Sequence, residues 1–296
     1  MGVPERDQAS LFADRIEHMK PRNIDPSELR LPARPKALLQ VEEMLSNPKM
    51  SLAQVGKAIG KDPGLGLRIV SLANSAAYAG RPIADSVETA ARIVGVDAIK
   101  NVVLQMAIIA MYEHICKLKE FNLPQVWRHS ILTASICSQL TRALPRDRME
   151  GGDESMYTCG LIHDIGKVVL YDSFRSRYVG IIKMAEAKSR PLWEVEEAEL
   201  GYNHADVCRL MASNWHLPDA FQASIAAHHD DEQIVHGPQG TSIVNAADRL
   251  AQVIETADWK RASLLYAPVK HLGGIDERAF WTIIADGTKV LESLEL

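Results

Sequence analysis

Histidine and aspartate stand at separated points of the chain: His129, the His163-Asp164 pair, His204, the His228-His229 pair and Asp248. Imidazole nitrogens and carboxylate oxygens together suit divalent first-row metals, and a carboxylate can bridge two ions while each imidazole holds one. Taken singly these residues say little, because a His on an apolar helix is most often a hydrogen-bonded core residue. Order raises the signal. A His is followed by His-Asp-Ile-Gly-Lys at 163–167, a third His, a His-His pair and an Asp, each in or beside an expected helix. Such an order points to one site assembled from several helices, and an adjacent His-Asp at a helix end can serve a binuclear centre. No Ser, Ser130 included, sits on a strand-turn-helix elbow, so serine-nucleophile hydrolysis has no support.

Other eye-catching residues read as ordinary structure. Trp127, Trp193, Trp215 and Trp281 fall at helix starts or on apolar stripes, where a large ring is more often core than a ligand shelf. The acidic run Glu194, Glu196, Glu197 and Glu199 reads as a solvated helix face, as do Asp230, Asp231 and Glu232. Cys116, Cys137, Cys159 and Cys208 lie far apart without a Cys-x-x-Cys pair, which predicts free buried thiols in a reduced cytosol.

The elements that must position the site are helical throughout, and alternating strand patterns are absent. Residues 1–30 form a polar arm in which Leu11, Phe12 and Ile16 are the main large apolar groups. Ser51 precedes the periodic Leu52, Val55 and Ile59, and Asp62-Pro63 supplies an N-cap followed by proline at the first helical position. Asp85 with Glu88 predicts a capping box opening Val87 to Val94, with Gly95 closing that helix and Asp97 capping another towards Cys116. The polar break Lys117 to Asn122 is the expected boundary between a helical subdomain at 31–122 and a second at 123–296. In the second, Pro124 opens a long helix to about Leu144, and Arg146 to Asp153 reads as a charged loop. Helices are expected at 155–164, 178–187, 191–200, 204–215, 218–229, 241–257 and 276–294.

Composition narrows the classes. With 47% hydrophobic and 24% charged residues over 296 positions, this is an ordinary globular chain and not a disordered one. A formal charge of -5 and no run of five Lys or Arg argue against direct nucleic-acid binding. Apolar runs such as Val102 to Met111, interrupted by Gln105, fall short of the ~18 residues a bilayer crossing needs and read as core helices. No apolar signal core follows Met1, and position 6 is Arg where a myristoylation signal wants Ser or Thr, so the expectation is a cytoplasmic protein with no membrane partner.

The separated motifs together resemble the HDOD family. Those in the second half are Trp127-Arg128-His129-Ser130, Gly160-Leu161-Ile162-His163-Asp164-Ile165-Gly166-Lys167, Glu199-Leu200-Gly201-Tyr202-Asn203-His204, Trp215-His216-Leu217-Pro218 and Ala227-His228-His229. In the first half, Leu31-Pro32, Asp62-Pro63-Gly64-Leu65, Ala73-Asn74-Ser75-Ala76 and Ala91-Arg92-Ile93-Val94-Gly95 are similar to that family's N-terminal portion. The likeness runs from Leu31 to Asp248. HDOD proteins are relatives of HD-superfamily phosphohydrolases, including the HD-GYP cyclic-di-GMP phosphodiesterases, and most are regulatory modules without shown catalysis.

The resemblance implies an all-α fold of two packed helical subdomains, the C-terminal one HD-like. It matches His129, His163, Asp164 and Asp248 to the HD superfamily's metal ligands, and His204, His228 and His229 to the extra ligands of HD-GYP enzymes. Lys167 matches the phosphate-facing lysine, with Asp164 beside it in any catalysis. The implied cofactor is a binuclear divalent centre, iron or manganese. Two departures stand out. Gln125 replaces a Glu four residues before the first His, predicting a neutral group beside the metal ligands and one weaker metal position. Between Asp230 and Ala247 there is no Asp-Gly-x-Gly-Tyr-Pro loop, only His236-Gly237-Pro238, which argues against cyclic-di-GMP hydrolysis. The expected function is a signalling module acting through protein partners or a diffusible nucleotide; the alternative is a metal-dependent phosphohydrolase.

Overall fold

The computed structural model of the chain describes residues 24–74, 78, 80–115, 121–145, 152–230 and 233–294, and every regular element among them is helical. Most of the N-terminal arm, Ser75, Ala76, Cys116, residues 117–120 of the expected boundary, residues 146–151, Asp231 and Glu232 lie outside the described residues.

Side-chain caps set several helix starts. After α1 (Lys36–Ser46), Ser51 and Gln54 close a reciprocal capping box on α2 (Leu52–Ile59). Asp62 accepts from the backbone N–H groups of Gly64 and Leu65, with Pro63 leading α3 (Pro63–Ala73). In place of the box expected at Asp85 there is a single cap bond one residue later: Ser86 Oγ accepts from Thr89 N–H at 3.3 Å and opens α4 (Val87–Ile115). Gly95, at φ 85° and ψ -179°, breaks α4 where a stop was expected, in a conformation that strains any side chain with a Cβ.

Against the expectation, the stretch Val87–Ala110 is long and apolar enough to cross a bilayer by length and composition. Its break at Gly95 and the burial of Ala90, Ala91, Ile99, Val102, Val103 and Ile108 fit a core helix instead.

The second half comprises α5 (Leu123–Ala143), α6 (Gly152–Ile162), α7 (Ile165–Phe174), α8 (Ser176–Lys188), α9 (Leu192–Leu200), α10 (His204–Asn214), α11 (Asp219–Ala226), the short α12 (Gln233–His236), α13 (Gln239–Thr256), α14 (Trp259–Lys270) and α15 (Glu277–Ser293). Three of these, α7, α12 and α14, were not expected. Helix α7 follows α6 through the two-residue His163-Asp164 turn without a glycine or proline to announce it, and α14 carries Pro268 inside its last turn.

One apolar core joins the halves, running from Leu38 and Val41 of α1 through Ile69 and Ile99 to Leu132, Leu140, Leu250 and Phe280. Polar bonds cross the same seam. Asn101 donates to Ser155 Oγ at 3.0 Å, and buried Gln105 donates to Thr158 Oγ1 at 3.0 Å, tying α4 to α6, the helix just before His163. The residues before α1 are pinned to the second half: Trp215 donates to Pro32 O at 3.0 Å, and Arg30 N–H to Ser173 Oγ at 2.9 Å. Cys137, Cys159 and Cys208 are free and buried.

Candidate metal centre

The turn between α6 and α7 is built to present a carboxylate inward. Asp164 occupies the N-cap position of α7, yet its side chain makes no cap hydrogen bond and faces the interior. Gly166, one residue into the helix, lets α7 approach the start of α10: a Cβ there would sit 2.0 Å from His204 O. Cys208 of α10 locks the same turn, accepting from Gly166 N–H at 3.0 Å and donating to His163 O at 2.9 Å.

Around Asp164 the other six sequence-predicted side chains converge. Its Oδ2 lies 3.6 Å from His163 Nε2 and 3.8 Å from His129 Nε2; its Oδ1 lies 3.2 Å from His204 Nε2 and 3.7 Å from His228 Nε2. Asp248 Oδ1 stands 2.9 Å from His129 Nε2 and 3.8 Å from His163 Nε2. His229 Nε2 is 2.7 Å from His204 Nε2, and its ring stacks on Trp193 with centroids 5.7 Å apart. The donor atoms form two separate triads, His129-His163-Asp248 and His204-His228-His229, and a third group, His163-Asp164-His228, overlaps both, with Asp164 between them. All but His229 are buried.

Four imidazoles are oriented from behind. Nδ1–H of His163 donates to Gly160 O at 2.7 Å, that of His228 to Ile225 O at 2.6 Å, that of His129 to Glu255 at 3.0 Å and that of His204 to Glu196 at 2.6 Å. For His163, His204 and His228 a proton held on Nδ1 leaves the Nε2 lone pair facing the centre, the arrangement that metal-binding histidines require, whereas His129 Nε2 meets the Asp248 carboxylate at 2.9 Å. His163 Nε2, His228 Nε2 and Asp164 Oδ1 are buried and have no hydrogen-bond partner. Orphaned acceptors facing one another are costly without a cation among them, and this donor set fits divalent first-row metals.

The electrostatics differ between the two sides of the site. Burial alone would lower the His129 pKa, but Asp248 and Glu255 push it up to about 10. Burial and the neighbouring His163 take His228 down to about 4, and burial with His228 and His204 holds His229 well below the usual imidazole range. Asp164 and Asp248 stay well below the usual carboxylate range despite their burial, held there by Lys167 and His163 for the first and by His129 and His163 for the second. Lys167 Nζ donates to Asp164 Oδ2 at 2.5 Å, and that carboxylate raises its pKa against the opposing effect of burial.

Gln125 is a correction. It is exposed, its carboxamide oxygen accepts from Asn122 Nδ2 at 2.9 Å, and the group that supports His129 is Glu255. Sequence reasoning also missed Glu196, which is fully buried and not on a solvated face. A signal existed for both. Glu196 falls on the apolar stripe of Leu192, Val195 and Leu200, and Glu255 follows Asp248 by two helical turns on one face.

Comparison with known proteins agrees with this architecture. The chain is 21% identical over 235 residues to an uncharacterised protein of Treponema pallidum (strain Nichols), covering 78% of this chain and 41% of that protein, so it spans about two fifths of that relative's length. Among solved structures it resembles an HDOD domain protein of unknown function from Geobacter sulfurreducens, with a TM-score of 0.63, 21% identity and 98% of both chains covered. A candidate metal-dependent phosphohydrolase from Shewanella amazonensis SB2B gives a TM-score of 0.62 at 19% identity, covering 98% of this chain and 99% of that one. The HDOD domain family model matches residues 31–231, over the helices that carry all of the converging residues except Asp248, and the chain belongs to the HDOD family.

Proposed function

We propose that this HDOD chain is a metal-dependent phosphohydrolase-type module, with two divalent ions held by His129, His163 and Asp248 on one side and His204, His228 and His229 on the other. The observation that carries this reading is the division of Asp164: one carboxylate oxygen faces each group of imidazoles. A carboxylate set between two donor groups suits a binuclear centre, in which the two triads together with Asp164 would hold the ions that bind a phosphate ester. When bound, such ions polarise a phosphoryl group and lower the pKa of water. Lys167, 20% exposed at its side chain, stands beside Asp164 and can turn its ammonium to a phosphate oxygen. Glu255 and Glu196 hold the protons on Nδ1 of His129 and His204, keeping both rings oriented. Iron or manganese suits this mixture of imidazole and carboxylate.

The test is metal analysis of the purified protein beside hydrolysis of bis(p-nitrophenyl) phosphate. Two equivalents of metal and a turnover that falls about 10²-fold or more in Lys167→Gln support the reading. Full metal content with no hydrolysis of any phosphate ester would leave the second reading, a regulatory module that signals through a protein partner in the cytosol. Two features favour that second reading: the buried position of six of the seven residues, and the missing Gly-Tyr-Pro loop between Asp230 and Ala247.

A further inference from the structure

Glu196 is the least expected residue near the centre. Its neighbours in the acidic run point elsewhere: Glu194 pairs with Arg190, and Glu197 accepts from Asn203 Nδ2 at 2.7 Å. Glu196 itself has no exposed surface and spends both oxygens inside the protein. Oε1 accepts the hydroxyl of buried Tyr178 at 2.5 Å, and Oε2 accepts both the backbone N–H of His204 at 2.9 Å and its Nδ1–H at 2.6 Å. A carboxylate fully removed from water is sustained only by such multiple donors, and a core needing packing alone would be served by a leucine.

Glu255, which supports His129 in the other triad, is built differently. Its side chain is 20% exposed, it makes one hydrogen bond to the imidazole, and its Oε1 has no partner. The remaining oriented rings, His163 and His228, rest on neutral backbone carbonyls. Each triad therefore has one carboxylate-backed histidine, one backed by a fully bonded carboxylate and the other by a partly exposed carboxylate with one buried oxygen unpartnered.

We propose that Tyr178 and Glu196 form a positioning pair that fixes His204 as an anion-backed ligand and makes the His204-His228-His229 position the tighter of two unequal metal sites. The inference rests on the binuclear reading above. An anionic partner on Nδ1 raises the basicity of Nε2 and fixes the ring, and loss of such a partner typically weakens metal binding about 10- to 100-fold. Tyr178 acts on Glu196 and does not itself face the centre.

The experiment is a Mn(II) titration of chelator-stripped full-length protein, followed by electron paramagnetic resonance, with thermal melts of the metal-free forms. Wild type should show two binding steps of unequal affinity. Glu196→Gln keeps the shape, removes the charge and turns one of the two accepting oxygens into a donor, and should weaken the tighter step about 10- to 100-fold while changing the weaker step far less. Tyr178→Phe should shift the same step by a smaller factor, and Glu255→Gln should shift the weaker one. Equal weakening of both steps by Glu196→Gln, or unchanged affinities beside a lowered metal-free melt, would overturn the proposal and leave Glu196 a structural residue. Absence of Mn(II) binding by wild type would instead overturn the binuclear reading on which it rests.

Discussion

At the scale of single residues, the account turns on Asp164 and the histidines around it. Replacing His163 and Asp164 together by Ala removes one imidazole and the shared carboxylate, so bound metal should fall to below one equivalent by elemental analysis. The double variant should keep its helical circular dichroism, because the hydrogen bonds and ion pairs of His163 and Asp164 all go to residues of the second half; loss of that signal would show that the site also holds the fold together. Most of these residues could be read from the sequence, since their types and order are set by ligand chemistry. Their supports could not. Glu196 and Glu255 are acids among acids, and only the packing of α9 and α13 reveals that one faces the interior and the other a ring nitrogen.

At the scale of elements, helix starts with strong caps were legible, and those whose cap residue was diverted to other work were not. Asp62 and Ser51 bond their own backbones as expected. Asp164 sits at a helix start with its carboxylate turned inward, so α7 had no recognisable beginning. The consequence is a division of effects. Asp62→Ala should cost about 1 kcal/mol in chemical denaturation and leave metal content unchanged, because α3 carries no part of the site. Gly166→Ala should do the reverse in kind: its Cβ would meet His204 O at 2.0 Å and force α7 away from α10. Separation of these helices should destabilise the protein by about 1–3 kcal/mol and weaken metal binding, measured by melt and by Mn(II) titration. Normal metal affinity in Gly166→Ala would mean that the approach of α7 to α10 does not set the geometry of the centre.

At the scale of the whole molecule, the single core and the Gln105–Thr158 and Trp215–Pro32 bonds join the first half to the helices that carry the site. The sequence suggested two packed parts but could not show these cross-links, because residues 53 or 183 positions apart meet only in the folded chain. If the ions bind the native state alone, removing them should lower the melting temperature of the entire chain. A free metal concentration a hundredfold above Kd stabilises by about 2.7 kcal/mol, and chelation should remove that amount. A chelator that strips metal without moving the melt would show binding outside the folded site. The most direct test is anomalous scattering from a crystal of protein purified without chelator. The account predicts two metal peaks about 3.5–4 Å apart, one beside each oxygen of Asp164, within reach of the two triads. A single peak away from Asp164, or none in protein supplied with iron or manganese during growth, would contradict it.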